Sequence, residues 1–147
     1  MVTKKRAAPP TRRTFRSPWF ELDYLCEKVS YWLYERKEKA RANRYLGRLE
    51  RVLKKLPEND LAIIRQEGWA LAKELKGDLD DAIRHRTKEI ELIERLHREA
   101  DLPRYDKATR AYMLSKRDVA ALQNRRQLLD SLIVQNRERN GMSSKSA

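Results

Sequence analysis

The side chains best suited to chemistry in this chain are few and scattered. His85 and His97 stand twelve residues apart with no cysteine near either in sequence, so the pair does not predict a tetrahedral zinc site. Asp78, Asp80 and Asp81 cluster, but they open a helical stretch, where carboxylates complement the positive end of the helix dipole. Cys26 is the sole cysteine, which forbids an internal disulfide. Set between Leu25 and Val29 at helical spacing, it reads as a small apolar core residue rather than a reactive thiol. There is no glycine-rich phosphate loop and no nucleophile elbow. The sequence predicts no catalytic residue, no metal and no cofactor, and the chain is read as a non-enzyme.

Charge is the stronger signal. The chain's 34 Lys and Arg exceed its 22 Asp and Glu by twelve, and half of that excess lies in residues 1–16. Lys4, Lys5, Arg6, Arg12, Arg13 and Arg16 stand there without an acid, around Pro9-Pro10. Such a composition predicts a disordered basic arm over residues 1–17. Clustered cations bind phosphates by releasing condensed counterions; about four contacts would give a log–log salt slope near −3.6 on duplex DNA. Phe15 offers a stacking ring, and Arg125, Arg126, Arg137 and Arg139 extend the positive charge near the other end of the chain. An acidic protein surface would satisfy the same arm. No DNA-reading motif is present, so base-specific recognition is not expected. The arm lacks the apolar run of a signal peptide and no later stretch is long enough to span a bilayer, which predicts a cytoplasmic protein without membrane contact.

The elements that must carry these residues are helical. Apolar residues recur at three- and four-residue steps and never alternate convincingly with polar ones. Residues 61–99 are the centre of the pattern. Leu61, Ile64, Gly68, Leu71, Ala72 and Leu75 form one stripe, while Ile63 and Trp69 lie outside it, so this helix needs neighbours on more than one side. Gly77 predicts a left-handed cap and Asp78 the start of the next helix, whose apolar face is Leu79, Ala82, Ile83, Ile90 and Ile93. Arg86 and His97 disturb that face. Two readings of Arg86 stand: packed methylenes with the guanidinium in water, or an anchor for an acidic partner.

Before this pair, Ser17-Pro18 opens a helix bearing Trp19, Leu22, Leu25, Cys26, Val29, Trp32 and Leu33. Tyr45 to Leu56 resumes out of phase, which predicts a break near residues 39–42, and Pro57 closes that second helix. Glu58-Asn59-Asp60 offers a cap for the central pair. After Pro103, residues 105–138 run without Gly or Pro. Tyr112, Ser115, Val119, Leu122, Arg126, Leu129 and Ile133 form a coiled-coil-like seam, widened by Leu128 and Leu132. That stretch is one long helix or two broken near Ser115, and its seam would serve either packing within the chain or a homodimer. Gly141 predicts its end, with a Ser-rich tail over residues 139–147.

The expected architecture is a single all-α domain over residues 18–138. It comprises helical hairpins at 18–56 and 60–100 and a C-terminal helix at 105–138. Gly77-Asp78-Leu79-Asp80-Asp81-Ala82-Ile83 resembles the inter-helix turn of a tetratricopeptide repeat, and Tyr45 to Pro57 is similar to that repeat's second helix. The resemblance covers about residues 27–96. Arg86 and Glu89 depart from it, standing where the repeat has an aromatic and a small residue. It implies that the first helices of the hairpins line a concave surface, with Ser30, Tyr34 and Lys37 beside Ile64, Glu67, Leu71 and Glu74. An ordinary antiparallel bundle explains the same pattern. The function expected is a non-catalytic adaptor whose groove binds a protein partner through Tyr34, Lys37, Glu67, Leu71 and Glu74. The basic arm would reach nucleic acid or acidic surfaces. The alternative is a nucleic-acid-binding accessory subunit of a larger DNA- or RNA-processing assembly.

Overall fold

A computed structural model describes residues 17–58, 62–98 and 119–140, and every regular element among them is helical. The all-α class read from periodicity therefore holds.

Helix α1, Pro18–Ser30, begins as its sequence predicts: the Ser17 hydroxyl accepts the Phe20 amide at 3.5 Å and Pro18 occupies the first turn, where its missing N–H is not needed. Leu22, Leu25, Cys26 and Val29 are buried along one face. The helix then widens into a π-turn over Tyr31–Glu35, with the Arg36 amide bonded to the Tyr31 carbonyl at 2.9 Å. A π-turn holds an extra residue and shifts the helical phase. Here Trp32, Leu33 and Tyr34 all pack against the core, which the straight continuation of α1 would not allow.

The chain reverses at Lys37, whose φ of 54° is left-handed, and continues into α2, Lys39–Asn43, and α3, Leu46–Lys55. The break expected at 39–42 is thus displaced to residues 36–38; Ala42 must enter the core, and it does so from within a helix. Leu56 is extended ahead of Pro57, the conformation a residue before proline prefers.

Helix α4, Ile63–Leu75, packs against α1, α3 and the following helix, the several-sided burial its pattern required. Its N-cap position is taken by Ala62 with no side-chain bond, so the cap expected from Glu58-Asn59-Asp60 is not seen; Asn59 and Asp60 lie outside the described residues. At Gly68 side chains of two neighbouring helices press against the α4 backbone. A Cβ there would sit 2.9 Å from methyl carbons of both Leu22 and Leu53. The roughly 1 kcal/mol that glycine costs a helix interior is exchanged for that approach.

Gly77, with φ of 81°, turns the chain, and the Asp78 carboxylate accepts the Asp81 amide at 3.3 Å to start α5, Leu79–Arg98. Helix α6, Val119–Asn140, lies antiparallel along α5. Leu122 joins Ile63, Ile90, Leu92 and Ile93, while Leu132 joins Leu79 and Ala82. The C-terminal seam therefore packs within the chain at these positions, and the helix runs two residues past Glu138. Residues 105–118, including Tyr112 and Ser115, lie outside the described residues.

Candidate functional site

Where the π-turn, α4, α5 and α6 meet, a line of charged and polar side chains crosses the core. Glu74 accepts the Tyr34 hydroxyl proton, and Arg86 Nη2 donates to the Tyr34 oxygen at 3.1 Å. Arg86 Nη1 donates to Glu89 Oε1 at 2.6 Å, and Arg125 of α6 closes the line with Nε on Glu89 Oε2 at 3.1 Å and Nη2 on Glu67 Oε2 at 3.0 Å. The Arg86 and Glu89 side chains are 1% and 0% exposed. The expectation that the Arg86 guanidinium reaches water is overturned: burial among Tyr34, Glu67 and Glu89 leaves it no path outward.

Burial works against the Arg86 charge, yet Glu89, Tyr34 and Glu67 outweigh it and hold the guanidinium more firmly protonated than usual. Burial, with help from Glu74, pushes the Tyr34 phenol up, so Tyr34 stays a donor. Glu74 is likewise raised by burial, against the opposing pull of Tyr34, Arg86 and Lys39. Each of the three carboxylates accepts from an arginine or a tyrosine. Hydrogen bonding of this kind offsets the cost of holding the carboxylates in a low-dielectric interior.

Two grooves flank this line. The larger, about 480 Å³, lies between the π-turn and α6; Tyr34, Lys37 and Glu74 line it together with Lys39, Leu128 and Arg139. The smaller, about 260 Å³, runs beside α1 past Ser30, Glu67 and Arg125. Of the residues expected to face a partner, Tyr34, Lys37 and Glu74 are brought together. Leu71 is not among them, being wholly buried in the core, and Glu67 is buried with its carboxylate on Arg125. Leu71 faces inward because α4 is enclosed by other helices, and Glu67 reaches only the smaller groove. The arm residues Lys4, Lys5, Arg6, Arg12, Arg13 and Arg16 lie outside the described residues. Arg126 pairs with Glu94, and Arg139 donates to the Gly77 carbonyl.

Sequence reasoning missed Arg125 as a core residue, since its partners are 36 and 58 residues away. It also passed over the exposed cations of α3, although the signal was in the composition: nine Arg and Lys against two Glu in residues 36–55.

His85 stacks on Trp69, with ring centroids 6.2 Å apart. Arg84 can only donate, so His85 Nε2 accepts from it at 3.3 Å, and Nδ1–H donates to Gln66 Oε1 at 2.8 Å. Burial first, then Arg84, holds this imidazole down to about 4. Its neutral form is the one the fold favours, so the unfolded chain binds the extra proton. Stability is expected to fall as pH drops from about 6.5 toward 4, and His85→Gln should flatten that part of the profile, read from urea midpoints across the window.

Among the described residues no group of three or more His, Cys, Asp or Glu is placed to hold a metal ion, and no helix is long and apolar enough to cross a membrane. Comparison with protein-family models, curated proteins and solved structures gave no match to the chain. The tetratricopeptide likeness of residues 27–96 accordingly rests only on the residues that suggested it.

Proposed function

We propose that this protein is a non-catalytic helical adaptor whose larger groove takes a short acidic and apolar segment of a partner protein. The basic arm adds contact with nucleic acid or acidic surfaces. The observation that carries the reading is the groove itself. Lys37, Lys39 and Arg139 stand at an opening whose walls include Leu33, Leu79 and Leu128, and Tyr34 and Glu74 are held in place there by their mutual bond. Such a lining favours a segment with one or two carboxylates beside a leucine-like side chain, anchored by apolar contact and oriented by charge.

A displayed library of twelve-residue peptides tests this. Selection on the full chain is expected to enrich acidic, leucine-containing sequences whose binding drops about tenfold or more in Lys37→Glu with Arg139→Glu. Failure to enrich any common pattern, or enriched peptides indifferent to the double substitution, would remove the groove reading. The second reading, a nucleic-acid-binding accessory subunit of a larger assembly, is favoured by the concentration of positive charge in residues 1–16 and 36–55.

A further inference from the structure

Positive charge in this chain is concentrated in two places. Residues 1–16 and 36–55 together hold fifteen Lys and Arg against two acids, while the other 111 residues hold nineteen against twenty. The second concentration has a definite shape. Leu49, Val52 and Leu53 turn one face of α3 into the core, and Gly47, Arg51, Lys54 and Lys55 fall within about 100° of arc on the opposite, exposed face. Arg44, in the turn before the helix, continues the line. Among the described residues none of Arg44, Arg51, Lys54 and Lys55 forms an ion pair. That contrasts with Arg48 and Arg41 on the same segment, which pair with Glu21 and Glu38.

The Arg48 pairing also fixes where this face lies. Arg48 Nε sits 2.7 Å from Glu21 Oε2, which pins α3 beside the first turn of α1. Ser17, where the arm joins, caps that same turn. Phe20, next to Glu21, is 51% exposed, an uncommon place for a phenyl ring unless something covers it. Gly47 adds no side chain to the cationic face: a Cβ built there would meet only the Arg51 guanidinium, at 3.6 Å.

We propose that the outer face of α3 and Phe20 form a binding site for single-stranded nucleic acid. Arg44, Arg51, Lys54 and Lys55 neutralise backbone phosphates, and Phe20 stacks against an unpaired base. The ring selects the single strand, because bases in a duplex are stacked on each other and present no free face. Cations held on a folded helix lose less freedom on binding than the same side chains on an unfolded chain, so this face sets the position of the strand. The site does not depend on the groove and stands whether or not a peptide binds there.

The test is fluorescence anisotropy of a labelled mixed-sequence 20-nucleotide DNA strand, and of its duplex, with the full chain at several salt concentrations. The full chain is expected to prefer the single strand. Changing Arg44, Arg51, Lys54 and Lys55 together to Ala should weaken binding at least tenfold and reduce the log–log salt slope by about 3. These side chains are exposed and unpaired, so the thermal midpoint should not move; Arg44→Lys with Arg51→Lys, which keeps the charges, should retain binding. Phe20→Ala should weaken the single-stranded complex about fivefold or more and leave the duplex unaffected. No binding by the full chain would overturn the site. So would a quadruple variant that binds like the parent while deletion of residues 1–16 abolishes binding, which assigns everything to the arm. A preference for duplex, or a Phe20→Ala variant that binds normally, would overturn the assignment to single strands.

Discussion

Arg86→Met is expected to destabilise the protein by about 3–5 kcal/mol, a large share of the roughly 5–15 kcal/mol that holds a typical domain folded. Methionine fills much of the arginine's volume, so the loss is electrostatic rather than a cavity. What it leaves behind is Glu89, wholly buried, with Arg125 as its remaining cation, and a Tyr34 oxygen that no longer accepts from Arg86. The urea midpoint should drop accordingly at unchanged slope. Adding Glu89→Gln should recover at least about 1 kcal/mol, because the orphaned charge goes while an acceptor for Arg125 remains. A loss under about 1 kcal/mol for Arg86→Met would mean that the guanidinium reaches water after all.

The second large effect is expected at Arg125. It is the only residue of α6 bonded to either core carboxylate among the described contacts, and it holds both Glu67 and Glu89. Arg125→Met takes from Glu67 and Glu89 the cation they share, while Arg86 remains beside Glu89. A loss of about 2–4 kcal/mol should follow. It should also be local: amides of residues 119–140 are expected to exchange with solvent well before those of α4 and α5, read by hydrogen exchange with mass spectrometry. Uniform loss of protection across all helices would show instead that α6 is inseparable from the hairpins.

The parts of this fold that could be read from the sequence are those whose causes are local. Ser17-Pro18 starts α1 by chemistry confined to one turn, and Gly77-Asp78 ends one helix and starts the next in the same way. Leu122 and Leu132 announced an apolar side of α6, though not which helix would cover it. The charged line was opaque for the opposite reason. Its members come from four separate stretches of chain, and a lone arginine on an apolar helix face ordinarily runs its head out to water. Glu89, three residues on, looked like any exposed helical neighbour. Leu71 and Glu67 were offered as groove residues because a two-helix picture leaves one side of α4 open; the real α4 has little open side. Of that candidate set, Tyr34, Lys37 and Glu74 do share a groove, brought there by a π-turn that no periodicity reveals. The α3 cations were legible in composition alone, but a run of charge carries no sign of whether acids will neutralise it until the fold is known.

Arg125 also bears on how the chain matures on the ribosome. Glu89 emerges from the exit tunnel 36 residues ahead of it, an interval of about 2–7 s at ordinary rates of synthesis. Through that interval the nascent hairpins carry Glu67 and Glu89 with Arg86 but without Arg125, the cation the two share in the folded chain. Emergence of Arg125, rather than formation of the hairpins, therefore marks the moment at which Glu67 and Glu89 gain the cation they share. A product truncated before residue 119 would lack that cation permanently and be an early substrate for cellular quality control.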